Sequence, residues 1–120
     1  MASPELAARL EDVLEAIAVI GAYTAGKTQG DYAAERMLRD AVERNVERIS
    51  EASRHIPRSL KAKHPEIPWR KVAGIGNILR HDYPIVDDSL IWELVVRDLP
   101  PLKAAVEQML GGVDASKTGK

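Results

Sequence analysis

Cysteine is absent from this 120-residue chain, which excludes disulfides and thiolate zinc sites and fits a reducing compartment. An excess of either charge is missing too. Seventeen basic and eighteen acidic residues leave a net charge of -1, so no long-range field gathers nucleic acid or anionic lipid, and any polyanion site must be local. Long apolar runs are lacking as well. The most apolar stretch, VLEAIAVIGA from Val13 to Ala22, contains Glu15 and is about half the ~20 residues that a membrane span needs. The opening MASPELAARLED carries acids where a signal peptide has a basic region. The expectation is a soluble, cytoplasmic protein of one domain. There is no internal repeat and no sustained period-two alternation. Histidines number only three.

What is present is helical periodicity. Ser3 and Pro4 read as N-cap and first residue of a helix whose stripe is Leu6, Leu10, Val13, Leu14, Ile17 and Ile20, ended by Gly21 or the GKTQG loop. A long helix is expected from about Asp31 to Ile56, with Leu38, Val42, Ile49, Ala52 and Ile56 on its apolar stripe and Pro57 stopping it. One short helix fits between the prolines of PRSLKAKHPEIP. Pro68 then opens a third main helix through Trp69, Val72, Ile75 and Leu79, broken by Pro84. Asp87 caps a fourth, kinked at Pro100–Pro101 and ending before Gly111–Gly112. The fold class is therefore all-α, an antiparallel bundle of four main helices with a broken last one. Residues 1–110 form the domain, and 111–120 read as a disordered tail.

Few residues offer chemistry. His64 lies in a polar, proline-bounded stretch and reads as exposed. Arg44, Arg48, Glu51 and His55 are spaced four, three and four, so they share one helix face; this is either a solvated charged face or one that meets a second polar cluster or a second subunit. Asn45 falls on the apolar stripe, where a buried amide must find partners; it either specifies register or hydrogen-bonds the Asn77–His81 region. Gly74 and Gly76 read as small residues that admit another helix. Asn77 and His81 are one turn apart on the third main helix, and histidine can serve as a general acid or base. From the residues alone, a structural histidine is the better reading than a catalytic one.

The run DAVERNVERISEASRHIP, followed by HPEIPWRKVAGIGNILRHDYPIVDDSLIWELVVRDLPPLKAAV, resembles the HepT-like branch of the HEPN superfamily over about residues 5 to 109. The resemblance rests on P-W-R-K, G-x-x-N-x-L-x-H-x-Y and W-x-x-V-x-x-D-L-P-x-L. It implies a homodimer of helical bundles with a composite site, and a minimal nucleotidyltransferase as antitoxin partner. It also implies RNA cleavage through an R-x(4–6)-H motif, with neither metal nor other cofactor. In that motif the histidine moves protons and the arginine stabilises phosphoryl charge. His81 matches the histidine, and Tyr83 matches a tyrosine that accepts AMP from the antitoxin. The arginine position is Gly76 here. Losing such a contact typically costs ~10²–10³-fold in rate. Two functions stay open: a ribonuclease in which Arg80, or else Arg44 or Arg48, supplies the cation, and an inactive binding partner of a nucleotidyltransferase. If Gly76 has removed the transition-state cation, wild type is expected to cleave little RNA and Gly76→Arg to raise cleavage, provided the glycine is not packed against another helix.

Overall fold

The computed structural model describes residues 3–81 and 87–117, the last five by backbone alone. Among these residues there are only helices and turns. The first helix, α1 (Pro4–Thr24), starts where expected: the Ser3 hydroxyl accepts from the Leu6 N–H at 3.1 Å, and Pro4 needs no donor in the first turn. It runs past Gly21 to a turn at Gly26, whose φ of 73° suits glycine.

The expected helix from Asp31 is two helices. A capping box between Thr28 and Asp31 starts α2 (Gln29–Ala34), and an extended Glu35 separates it from α3 (Arg36–Ser53). The break has a geometric cause. Tyr32 and Leu38 are both buried, yet six residues along one helix would set them about 240° apart. Interrupting the helix at Glu35 lets both turn inward, with the Tyr32 ring 5.5 Å from that of Trp92. From Leu38 onward the stripe is as expected, with Val42, Ile49 and Ala52 all buried.

After Pro57 comes the short helix, α4 (Arg58–Lys61). His64 follows, and here the sequence expectation fails: it is buried, at 9 % exposure. The indole N–H of Trp69 donates to the carbonyls of Lys61 (3.2 Å) and His64 (3.1 Å), folding this turn over the bundle. Trp69 begins α5 (Trp69–His81), which packs on α3, and α3 in turn packs on α1.

Asp87 caps α6 (Asp88–Glu93) through the Ser89 N–H at 2.9 Å. A five-residue π-helical segment, Leu94–Asp98, leads into α7 (Leu99–Lys117), which lies against α1. The expected irregularity thus stands one turn before Pro100–Pro101. Those prolines lack the N–H groups that would bond back into that turn, and they sit comfortably in the first turn of α7. Lys71 fastens the π segment to α5, its Nζ 2.7 Å from Asp98 Oδ2. At the far end, α7 continues through Gly111 and Gly112 to Lys117, where the sequence suggested a disordered tail. The bundle of four main helices, with a broken last one, is the expected all-α fold. No described helix is long and apolar enough to cross a membrane.

Candidate functional site

The residues singled out by sequence divide between two faces of α5. Asn77 and His81 are exposed, near its C-terminal end. With Gly74 and Ile78 they fall along one side, since positions 74, 78 and 81 are spaced four and three. This side continues into an apolar groove of about 690 Å³ lined by Trp69, Gly74, Ile75, Ile78 and Leu90. Arg80 stands about 100° round the helix and faces a different space. Tyr83 lies outside the described residues.

Arg80 lines a cavity of about 480 Å³ between α1, α3 and α5, together with Arg9, Arg44, Arg48 and Glu51. The charged face of α3 therefore does meet a second polar element, and that element is Arg80 rather than Asn77 or His81. Glu51 reports the proximity. Its carboxyl is held below the usual glutamate range chiefly by the hydrogen bond from His55 (3.2 Å), with further help from the charges of His55, Arg54 and Arg80.

Arg48 and Asn45 are engaged within the bundle. Arg48 Nη1 donates to Asn45 Oδ1 at 3.0 Å, and its Nη2 to Glu15 Oε1 on α1 at 2.8 Å. The ion-pair partner of Arg48 is thus Glu15 on α1 and not Glu51 on its own helix. Asn45 is buried, and its Nδ2 donates to Ala41 O at 2.9 Å. Its amide is satisfied by its own helix and by Arg48, so it does not reach the Asn77–His81 region.

Gly76 explains itself only in three dimensions. A β-carbon built there would stand 2.5 Å from Ser50 Oγ and 2.7 Å from Ser50 Cβ. The Ser50 hydroxyl donates to Ala73 O (2.7 Å) and accepts the Gly76 N–H (3.1 Å), sewing α3 to α5. Arg54 joins the seam, its Nη2 donating to Ala73 O at 3.0 Å. Position 76 is closed to a side chain, so an arginine cannot simply be restored there. Gly74 differs: nothing lies within 4 Å of its would-be β-carbon.

Sequence reasoning missed Arg9, Ser50 and Ser53, and with Arg9 its meeting with Arg80. Arg9 and Arg80 are seventy-one positions apart, and no local pattern joins them. Ser50 and Ser53, both buried, did leave a trace as small hydroxyl residues on an apolar stripe. Among the described residues, no group of histidine and acidic side chains is arranged to hold a metal ion.

The described residues define a class of structure, a small all-α bundle with an exposed histidine at the end of one helix and several arginines round a nearby cavity. The comparisons give the class its family. Residues 13–109 match the family described as "Ribonuclease HepT-like", and the chain belongs to this HepT-like branch of the HEPN superfamily. A protein of Thermococcus cleftensis named "Probable ribonuclease HepT" is 40 % identical over 100 residues, covering 83 % of this chain and 91 % of its own length. A Methanocaldococcus jannaschii protein named "Gamma-glutamylcyclotransferase and putative RNase" is 37 % identical over 111 residues, and this chain spans half of its length. A second protein of that organism, named "Putative RNase", is 36 % identical over 107 residues and is matched over 98 % of its length. No solved structure matches.

Proposed function

We propose that this chain is the toxin-type ribonuclease subunit of a toxin–antitoxin pair, with a minimal nucleotidyltransferase as antitoxin. In this reading the 2′-hydroxyl oxygen of RNA attacks the adjacent phosphorus, the bond to the 5′ oxygen breaks, and one proton passes from the first oxygen to the second. His81 carries that proton, and Arg80 meets the phosphoryl charge in place of the arginine that Gly76 excludes. Asn77, one turn before His81, orients the substrate. Tyr83, two residues after His81, is the acceptor of AMP from the antitoxin.

One observation carries the reading: Arg80 opens into an arginine-lined cavity while its neighbour His81 stands exposed at the same helix end. Two subunits would supply two histidines, one to take the proton and one to return it. The second subunit fits the open side of α5, where Gly74 has no neighbour within 4 Å although glycine costs a helix about 1 kcal/mol relative to alanine. Light scattering at micromolar concentration is expected to give the dimer mass, and a monomer would remove the two-histidine scheme.

The deciding assay is RNA cleavage without added metal. Wild type is expected to cleave, His81→Ala to abolish cleavage, and Arg80→Ala to reduce it by ~10²–10³-fold. The inactive-partner reading is favoured by the closed position 76, and it wins if wild type and His81→Ala are equally inert. Co-expression with the nucleotidyltransferase, followed by mass spectrometry, is expected to find AMP on Tyr83.

A further inference from the structure

The cavity between α1, α3 and α5 does more than house Arg80. Arg9 reaches it from the second turn of α1, Arg44 and Arg48 from adjacent turns of α3, and Arg80 from the last turn of α5. Three helices converge guanidinium groups on one concave space. Asp12, Glu47 and Glu51 line it as well and would be the natural consumers of that charge. None of them makes a direct ion pair with Arg9, Arg44 or Arg80. Among the described residues, Arg48 pairs with Glu15 and Glu51 with His55, while Arg9, Arg44 and Arg80 form no ion pair.

Ordinary helix electrostatics accounts for only one of these side chains. Arg80, in the last turn of α5, complements the negative end of the helix dipole. Arg9 lies near the N-terminal, positive end of α1, and Arg44 sits in the middle of α3, where no such benefit exists. Unpaired cations gathered at about 480 Å³ of open space fit an anion supplied from outside. The planar fork of arginine matches the oxygens of a phosphate.

We propose that this cavity is a phosphate subsite for an RNA strand, in which Arg9, Arg44 and Arg80 hold a phosphodiester next to the one presented to His81. The proposal rests on the ribonuclease reading and adds what it leaves open, namely how a chain with no overall positive charge grips a polyanion. Arg80 belongs to both places and sets the register between them. Arg48, tied to Glu15 and Asn45, supports the wall. The acidic neighbours keep the cavity's net charge low, so it takes one phosphate and not a long stretch of backbone.

Fluorescence anisotropy with a labelled 2′-O-methyl oligoribonucleotide, which binds but cannot be cleaved, tests this across a range of salt. Arg9→Glu and Arg44→Glu are each expected to weaken binding at least tenfold near 0.1 M salt. Each should also flatten the slope of log Kd against log salt by up to about 0.7, the contribution of one single-strand phosphate contact. Arg44→Gln, which removes the charge without reversing it, is expected to fall between wild type and Arg44→Glu. Circular dichroism confirms that each variant is folded. Unchanged affinity and slope in these variants overturn the subsite, as does binding of free AMP with no binding of the oligonucleotide. Failure of the two readings is separable. Wild type that binds the oligonucleotide through these arginines but never cleaves RNA keeps the subsite and rejects the ribonuclease. Cleavage undisturbed by Arg9→Glu and Arg44→Glu does the reverse.

Discussion

Replacing Gly76 by alanine is the sharpest test of how α3 and α5 meet. At an exposed position in a helix this change would stabilise by about 1 kcal/mol. Here the new β-carbon falls 2.5 Å from Ser50 Oγ and 2.7 Å from Ser50 Cβ, and the latter cannot swing away because it is fixed to the α3 backbone. Overpacking of this kind costs about 1–3 kcal/mol. Displacing the Ser50 hydroxyl also breaks its bonds to Ala73 O and from the Gly76 N–H in a buried setting, about 1–3 kcal/mol more. Subtracting the propensity gain from the middle of both ranges leaves a loss of about 3 kcal/mol. Urea unfolding followed by circular dichroism measures it. Ser50→Gly removes both clashing atoms, so the double variant is expected to recover at least ~1 kcal/mol relative to the sum of the singles, as contacting residues do. Gly76→Ala at or above wild-type stability would refute the close approach. The same arithmetic governs Gly76→Arg, which on its own unsettles the fold. Catalysis by a restored motif arginine is tested fairly only with Ser50→Gly beside it.

Two further outcomes follow from burial. The Tyr32 hydroxyl is buried and has no hydrogen-bond partner among the described residues, and burial pushes its ionisation well above the ordinary tyrosine value. Tyr32→Phe keeps the ring against Trp92 and removes the stranded hydroxyl, so stability in urea is expected to hold or rise by about 1 kcal/mol; a clear loss would reveal a partner for that oxygen. Burial, followed by the charges of Asp40 and Asp88, raises the Glu43 carboxyl above its ordinary value of 4.5. A raised folded value means the folded state holds the proton more tightly, so this contribution is complete below pH 4.5 and is lost as pH rises through the folded value. Glu43→Gln is therefore expected to shift the urea midpoint upward at neutral pH, with the advantage shrinking as pH approaches 4.5, and an advantage independent of pH would point to packing instead.

Much of the fold is legible in the sequence because its signals are local. Ser3–Pro4, Pro57, Pro68 and Asp87 mark helix boundaries through missing donors and side-chain caps, and each acts within a few residues. The stripe from Leu38 to Ala52 shows itself by spacing alone. The misreadings concern tertiary demands. Nothing between Asp31 and Ile56 announces a break, because Tyr32 reads as one more residue of a long helix until Trp92, sixty positions away, claims its ring. His64 looks exposed by its neighbours, and only the reach of the Trp69 indole reveals that the turn is folded inward.

Position 76 shows how the same limit bears on function. Read along α5, the chain carries the family pattern with one letter changed, and the natural inference is a loss of charge that one substitution could repair. The letter is not set by α5. Ser50 on α3 fills the space that any side chain at 76 would need, while its hydroxyl takes the backbone N–H of the glycine. The seam between the two helices and the absence of arginine are one structural fact, so the two positions are expected to vary together. A family member with arginine at the position of Gly76 must open the α3 side there or tilt α5 away. In the proposed reading, Arg80, which lines the cavity shared with Arg44 and Arg9, takes the place of the cation that position 76 excludes.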